Sequence, residues 1–427
     1  MIRYLQKGML LLAACLLLAG CGGAGGPSSY PTTTAPSMPS VSAALPSSAA
    51  SALSSAPAED AGPAPDTSPG GESAAADTAP NEAEKKIDIF APYRKRAEEK
   101  LLTMTLEQKI GQLLLVRCPT EGTENMIREL QPGGLVLFGR DFADKSAEEV
   151  RQTLESYQEA AITPLLLATD EEGGTVCRVS SNPKLRTERF SSPQQVYAAG
   201  GLEAVRADGA EKAALLLGLG VNLNLAPVAD LPDTTEDYIY PRSLGLDRDQ
   251  TAAYVATAVE SMQTGGLSTC LKHFPGYGPN PNTHTGAAYD QRPLSSFLEF
   301  DLLSFAAGIN AGAHCILVSH NTVTAMDDMR PASLSPAVHE ILRDKLEFTG
   351  VVITDDLDME AIQAYNGEQP ATVLAVQAGN DMMILSDAAG ALADIRAAVD
   401  SGGLKETDID QAALRVLSLK YAMGLLK

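Results

Sequence analysis

Residues 351–356 read Val-Val-Ile-Thr-Asp-Asp, so a short and largely apolar run ends in two carboxylates. A continuous apolar run of this length is typical of a parallel strand that is covered on both faces. A charge directly after such a strand costs desolvation free energy unless the group is paired or functional. The stretch therefore predicts a buried strand with a polar site at its carboxyl end.

Seven more runs of this kind occur in the chain, with amphipathic segments between them. Apolar strands that alternate with helices are typical of a parallel sheet with both faces covered. Eight such units predict an α/β protein with a single (β/α)8 TIM-type barrel. An open doubly wound sheet is the competing architecture, but no Gly-x-Gly-x-x-Gly turn follows an early run. The runs are 112–116, 134–138, 165–169, 221–225, 269–272, 315–319, 351–354 and 382–385, and amphipathic segments include 147–160, 252–263, 298–311 and 336–346.

Polar and charged residues follow five of the eight runs. Because active sites of (β/α)8 barrels lie at the carboxyl ends of the strands, these residues are expected to meet at one rim. Five such sets favour a functional site over isolated caps or ion pairs. The sets are Asp170 to Glu172 after the third run, Asp230 after the fourth, Lys272-His273 at the end of the fifth, Ser319-His320 at the end of the sixth, and Asp355-Asp356 after the seventh.

The first twenty residues are predicted to be a signal peptide. Positive charges precede an apolar run at residues 8–18, which is too short to span a membrane comfortably. The run ends in Leu18-Ala19-Gly20-Cys21, which resembles the lipobox of bacterial lipoproteins. That resemblance implies cleavage before Cys21 and a lipid on its thiol, whereas the alternative is an ordinary signal peptide.

Residues 21–86 have a composition unlike the rest of the chain. They are rich in Ser, Ala, Pro, Thr and Gly and contain no Lys or Arg before Lys85. Such a segment is predicted to be a disordered tether, because it cannot bury enough apolar surface to fold. Together with the lipobox it predicts an extracytoplasmic protein, lipid-anchored to the bacterial cell membrane, with its folded domain at residues 87–427.

Charge and cysteine usage exclude several classes of protein. The formal net charge of −22 argues against nucleic acid as a partner. The cysteines of the folded part lie in or beside apolar runs without Cys-x-x-Cys spacing, so buried free thiols are predicted rather than disulfides or a metal site. These cysteines are Cys118, Cys177, Cys270 and Cys315.

Several stretches, taken together and in order, resemble glycoside hydrolase family 3, and specifically its N-acetylglucosaminidase branch. The resemblance covers nearly all of residues 100–425, and the chain ends soon after the eighth run, so the second α/β domain of many relatives is not expected. It implies a retaining exo-glycosidase that releases terminal β-linked N-acetylglucosamine through a covalent intermediate. The stretches are 104–113, 170–176, 222–230, 242–245, 272–276 and 353–359.

The resemblance also implies roles for individual residues. The aspartate of the family's Thr-Asp or Ser-Asp motif is the nucleophile, and it corresponds to Asp355, which is expected to be the first residue beyond the seventh strand. Asp356 and Asp358 are the rival carboxylates. Residues implied in binding the sugar are Asp170, Arg178, Arg242, Lys272 and His273.

The loop after the fifth run reads Lys-His-Phe-Pro-Gly-Tyr-Gly-Pro-Asn-Pro-Asn-Thr-His over residues 272–284. By resemblance His284 is the acid/base, since a histidine titrates near neutrality and can give and then take a proton. The aspartate that orients this histidine in relatives is Asn282 here, which can orient the ring without stabilising its charge. The chain also differs from the family at Tyr277, where relatives often have His, and at Thr175, where many have Arg.

The other histidines are weaker candidates for the acid/base. His320 is at the correct barrel end and stays open as an alternative to His284, whereas His314 precedes the sixth strand and His339 lies within a helix.

The predicted partner is a glycan or muropeptide that carries a terminal N-acetylglucosamine, and no metal or other cofactor is expected. A monomer is expected. Alternatives within the fold are a family 3 β-glucosidase or xylosidase, and a phosphorylase. The alternative of another class is a carbohydrate-binding lipoprotein whose catalysis has been weakened through Asn282.

Overall fold

The computed structural model describes residues 88–365 and 367–427. The predicted signal peptide (1–20), the tether (21–86) and the lipidation site Cys21 lie outside the described residues. Within the described part of the chain, no helix is long and apolar enough to cross a lipid bilayer.

Eight parallel strands close into a barrel, which confirms the predicted architecture. Strands adjacent in the chain are adjacent in the barrel, and the ring closes where Leu114 of the first strand lies opposite Met383 of the last. Each predicted run overlaps one strand. The strands are β1 Leu114–Arg117, β2 Gly134–Leu137, β3 Leu166–Thr169, β4 Leu223–Asn224, β5 Ser268–Phe274, β6 Cys315–Val318, β7 Val351–Asp356 and β8 Met382–Leu385.

The helices form a layer around the barrel, and local sequence signals explain where several of them begin. Ser146 and Glu149 form a reciprocal capping box at the start of α5, and Thr105 and Gln108 form another at α2. All four predicted amphipathic segments are helical. The helices are α1 Arg94–Leu101, α2 Leu106–Gln112, α3 Thr123–Leu130, α4 Gly139–Phe142, α5 Ala147–Ala160, α6 Pro193–Leu219, α7 Arg248–Thr264, α8 Leu294–Ser296, α9 Leu302–Asn310, α10 Pro336–Glu340, α11 Glu360–Gln363, α12 Ala371–Ala378, α13 Ala388–Asp400 and α14 Glu406–Ala422, with π turns at Phe297–Asp301 and Ile341–Lys345 and 3-10 turns at Thr283–Thr285 and Ala332–Leu334.

Short paired segments lie at the carboxyl end of the barrel. Glu171–Gly173 pairs with Val176–Cys177 as an antiparallel hairpin directly after β3. Tyr289–Asp290 pairs with Thr322–Val323 and connects the loop after β5 with the segment after β6. These segments shape the rim on which the polar residues stand.

Two apolar layers hold the barrel together. Along β1, Leu114 and Val116 belong to the layer between strands and helices, whereas Leu115 belongs to the barrel interior. This alternation explains why the strands read as continuous apolar runs. The four predicted buried thiols are indeed buried and free: Cys118, Cys177, Cys270 and Cys315.

Phe90 closes the amino-terminal end of the barrel. Its side chain is buried and belongs to the interior cluster with Leu115 and Val351. Its ring lies 6.1 Å, centroid to centroid, from that of His314, which directly precedes β6. The described chain therefore enters the domain at the end of the barrel opposite the carboxyl ends of the strands.

A lysine of the last helix is buried, and the partner of its ammonium group is a neutral amide. Lys420 in α14 has no exposed surface, and its ammonium group donates a hydrogen bond of 2.6 Å to Oε1 of Gln112. Burial, together with the smaller effect of nearby Lys100, lowers the pKa of Lys420 to about 7. The folded state thus holds this proton less tightly than the unfolded state does.

We predict that Lys420→Met raises the free energy of unfolding more at pH 6 than at pH 9. Below pH 7 the folded protein bears the full penalty of a buried ammonium, and that penalty falls as the pH rises toward the unfolded pKa. The increase in the free energy of unfolding should be larger at pH 6 than at pH 9 by on the order of 2 kcal/mol. Urea unfolding of the unmodified protein and of Lys420→Met at both pH values measures it. Lys95→Met at an exposed position of α1 is the matched control. Equal gains at both pH values would contradict the low proton affinity of Lys420.

Candidate active site

A polar cavity of about 180 Å³ opens at the carboxyl ends of the barrel strands. A larger groove of about 560 Å³ lies beside α7 and the π turn at Phe297–Asp301, but none of the predicted site residues line it. Seven of the predicted site residues line the cavity, and they come from loops and strand ends that are far apart in the chain: Asp170, Arg178, Arg242, Lys272, His273, His284 and Asp355.

The floor of the cavity is organised by Glu172, which is 3% exposed. Its carboxylate receives two hydrogen bonds from Arg242, at 3.0 and 2.7 Å, and lies 2.7 Å from the ammonium of Lys272. Burial would raise the pKa of Glu172, but Arg242 and Lys272 together hold it well below its usual range. Glu172 is therefore an anion that neutralises two cations, the buried Lys272 and the partly buried Arg242. The sequence placed it after the third run without assigning it a role.

Asp170 holds the other side of Lys272. The Lys272 ammonium lies 2.6 Å from Oδ1 of Asp170, whose Oδ2 lies 3.6 Å from Arg178. Burial would lower the pKa of Lys272, but the charges of Asp170 and Glu172 raise it, so the side chain stays an ammonium. The hairpin places Arg178 at the rim because buried Glu171 accepts the backbone N–H groups of Arg178 and Val179 at 2.9 and 2.7 Å.

His273 has a fixed tautomer. Its Nδ1 lies 2.7 Å from Oδ2 of buried Asp230, and its Nε2 lies 3.1 Å from a guanidinium nitrogen of Arg242. Since the guanidinium can only donate, Nε2 accepts and Nδ1 carries the proton. Asp230 also accepts the backbone N–H of His273 at 3.1 Å. The sequence identified Asp230 as a strand-end residue, but its contact with His273 joins two strands and has no signal in residue spacing.

Asp355 lies within β7, so the expectation that it is the first residue beyond the strand is wrong. The strand extends to Asp356 because pairing with β8 resumes there after a register shift between Ile353 and Asp356. An irregularity of this kind re-aims a side chain at a strand end. The carboxylate of Asp355 lines the cavity and accepts the backbone N–H of Asp356 at 2.9 Å.

The surroundings of Asp355 favour its ionised form. Burial would raise the pKa of Asp355, but His320 and His273 and the N–H of Asp356 lower it below its ordinary value. Asp356, by contrast, lies 3.1 Å from Arg117, and burial raises its pKa to about 6. Asp358 is exposed. Of the three candidate carboxylates, Asp355 is thus the one that is both ionised at neutral pH and free of a salt bridge to an arginine.

His284 lies in the 3-10 turn Thr283–Thr285 at the cavity mouth. Oδ1 of Asn282 accepts the backbone N–H of His284 at 3.0 Å and lies 2.8 Å from its Nδ1. That oxygen therefore keeps the proton on Nδ1 and leaves Nε2 available. Although the residue is exposed, desolvation of its ring lowers the pKa of His284, and the charge of Asp355 opposes this.

The other histidines are engaged elsewhere. His320 is buried, with Nδ1 2.7 Å from Oγ of Ser333 and Nε2 2.9 Å from the carbonyl oxygen of Asp356, so neither ring nitrogen is available to a substrate. His314 contacts Ser268 at the start of β5, and His339 is buried within α10. Among the five histidines, only His273 and His284 line the cavity.

A (β/α)8 barrel whose mouth combines an ionised carboxylate, a solvent-accessible histidine and a paired set of cations and acids has the fold and site of a glycoside hydrolase. The chain belongs to glycoside hydrolase family 3, because residues 105–419 match the domain described as "Glycosyl hydrolase family 3 N terminal domain". This confirms the family resemblance and identifies the protein as a glycoside hydrolase.

Within this family, the chain is similar to proteins named as hexosaminidases or N-acetylglucosaminidases. The chain is 31% identical over 255 residues to a beta-hexosaminidase of Xanthomonas campestris pv. campestris, covering 59% of this chain and 76% of the relative. Among solved structures, a family 3 beta-N-acetylglucosaminidase from a Paenibacillus species is 29% identical with a TM-score of 0.71, and the match covers 76% of this chain but only 63% of that one. A beta-N-acetylhexosaminidase from Beutenbergia cavernae is 28% identical with a TM-score of 0.67, covering 75% of this chain and 99% of that one.

We predict that Glu172→Gln lowers the free energy of unfolding by about 3 kcal/mol, because it removes the charge that balances buried Lys272 and partly buried Arg242. Urea unfolding at neutral pH measures the change. Glu121→Gln, at an exposed position before α3, is the control and should change little. A loss below about 1 kcal/mol would mean that Asp170 suffices to balance both cations.

Proposed function

We propose that the protein is a retaining exo-glycosidase that releases terminal β-linked N-acetylglucosamine, with Asp355 as the nucleophile and His284 as the acid/base. The observation that carries this proposal is that an ionised carboxylate at the end of β7 and a histidine with a free Nε2 line the same cavity. The names of the relatives support the choice of sugar.

In the first step, a carboxylate oxygen of Asp355 attacks the anomeric carbon, and the bond from that carbon to the leaving oxygen breaks. The leaving oxygen takes the proton from Nε2 of the protonated His284. A glycosyl ester on Asp355 and a neutral imidazole result.

In the second step, neutral His284 accepts a proton from water through Nε2 while the water oxygen attacks the anomeric carbon. The ester bond to Asp355 breaks, the carboxylate is restored, and the sugar leaves with its original anomeric configuration. His284 ends the cycle protonated, as it began, so protons balance over the two steps.

Asn282 orients His284 in this proposal but does not stabilise its charge. The amide oxygen keeps the proton on Nδ1, which leaves Nε2 aimed at the reacting oxygen. A carboxylate in its place would also favour the imidazolium and raise the pKa of His284. The asparagine therefore leaves a smaller fraction of His284 protonated at neutral pH, but it does not misdirect the ring.

We infer that the sugar hydroxyls bind the paired charges of the cavity. Carboxylates accept hydrogen bonds and ammonium or guanidinium groups donate them, so the two together can bind hydroxyls that do both. The proposed sugar-binding residues are Asp170, Arg178, Arg242, Lys272 and His273.

The anchored location and the natural substrate are further parts of the proposal. The sequence Leu18-Ala19-Gly20-Cys21 supports a lipid on Cys21 and therefore attachment to the bacterial cell membrane from outside. A protein at that location meets muropeptides and peptidoglycan ends with a terminal N-acetylglucosamine. A monomer suffices for the proposed chemistry, since one chain supplies every residue in it.

We predict that the purified protein hydrolyses an aryl β-N-acetylglucosaminide with a kcat/KM at least about 100-fold above that for the matching aryl β-glucoside. Release of the aryl alcohol, followed by absorbance, measures both rates, and repeating the assay with inorganic phosphate tests for a phosphorylase. Comparable rates on both glycosides would favour a β-glucosidase. Binding of N-acetylglucosamine without turnover would favour a carbohydrate-binding protein.

We predict that His284→Ala separates substrates by leaving group. The value of kcat/KM reports the first step, which needs an acid only when the leaving oxygen is basic. With a dinitrophenyl glycoside the loss should be less than about 3-fold, whereas with a phenyl glycoside it should exceed about 100-fold. His339→Ala, in a helix away from the cavity, is the comparison variant. Equal losses on both substrates would exclude His284 as the acid.

A further inference from the structure

Tyr277 is fixed to the barrel at its backbone. Its N–H donates a 2.7 Å hydrogen bond to Oδ1 of Asp230, the same carboxylate whose Oδ2 holds His273. Its ring is 2% exposed and packs edge-on against His273 and at a tilt against Tyr238, with both centroid distances at 5.6 Å. The residue therefore belongs structurally to the sugar-binding floor, although it lies in the loop that carries His284.

The hydroxyl of Tyr277 reaches the turn that carries His284. The backbone N–H of Thr283 donates to the phenol oxygen at 2.9 Å, and Oγ1 of Thr283 lies 2.9 Å from the same oxygen. Thr283 is buried, and it lies between Asn282 and His284 in the chain. One phenol thus holds the residue between the proposed acid/base and the residue that orients it.

The phenol oxygen of Tyr277 makes hydrogen bonds to Thr283 that a phenylalanine could not make. A backbone N–H can only donate, so the phenol oxygen must accept from Thr283. In the second contact, with Oγ1 of Thr283, either hydroxyl can be the donor. Because these groups are buried, removal of the phenol hydroxyl leaves the N–H of Thr283 without a hydrogen-bond partner, which costs free energy. The cost disappears if the turn opens, because water can then accept the bond.

We propose that Tyr277 is a positioning residue for His284, which it holds over the cavity through Thr283 while its backbone shares Asp230 with His273. This inference rests on the proposed function of His284. Its consequence is that the sugar-binding floor and the proton-transferring loop are placed relative to each other by one side chain. Tyr277 acts on the reaction through Thr283 and has no proposed contact with substrate.

Tyr277→Phe removes the hydroxyl and keeps the ring that packs against His273. The expected result is a loss of about 10-fold in kcat/KM for a phenyl β-N-acetylglucosaminide and less than about 2-fold for the dinitrophenyl glycoside, because only the former depends on a placed acid. Tyr289→Phe, the same change at an exposed position of the same loop, is the matched control and should change neither value. Equal losses on both glycosides, or no loss on either, would overturn the proposal.

Thr283→Val supplies a second variant, since it removes Oγ1 and keeps the N–H that donates to Tyr277. Its loss on the phenyl glycoside should be smaller than that of Tyr277→Phe, and the double variant should lose less than the product of the two single losses. A double variant with fully multiplicative losses would show that the two side chains act separately and would overturn the proposal.

Amide hydrogen exchange tests the positioning without any substrate. In Tyr277→Phe the amide of Thr283 should exchange at least about 10-fold faster, whereas in Tyr289→Phe it should be unchanged. Unchanged exchange in Tyr277→Phe would overturn the positioning role whatever the activity. If exchange rises but the unmodified protein fails to cleave either glycoside, the proposed function fails while the structural link between Tyr277 and the turn stands.

Discussion

The mouth of this barrel depends on the buried carboxylate of Glu172, which balances the charges of Arg242 and Lys272 at the floor of the cavity. Around it, charges alternate from Asp170 to Lys272 and through Glu172 to Arg242, and neutral His273 then connects Arg242 to Asp230. A single unpaired member of this chain would carry a large desolvation penalty. The polar floor therefore forms as a unit, and it joins residues after β3 and β4 to the last residues of β5.

This dependence explains how two histidines near one cavity acquire different properties. His273 is held between Asp230 and Arg242, so both of its ring nitrogens are engaged and neither is free to exchange a proton. His284 is held at Nδ1 alone, by a neutral amide, and keeps its other nitrogen free. The difference arises from the partners, since the two side chains are chemically identical.

The barrel and the strand-end residues of the cavity could be predicted from periodicity, whereas Arg178, Arg242 and His284 could be predicted only through the family resemblance. Eight apolar runs define eight strands, and residues at their carboxyl ends must meet at one rim, so Asp170, Lys272 and Asp355 were found by position. The strand end at Asp355 was misplaced because pairing with β8 resumes beyond the apolar run. Contacts between strands, such as those of Glu172 and Asp230, and the reach of Tyr277 to Thr283 depend on three-dimensional distances that no spacing along the chain reveals.

Phe90, which closes the amino-terminal end of the barrel, fixes the point at which the described chain joins the barrel. The first described residues therefore lie at the end remote from the cavity and take no part in its lining. The two ends of the barrel are therefore different in kind: an apolar ring seals one of them, and charged side chains line the other.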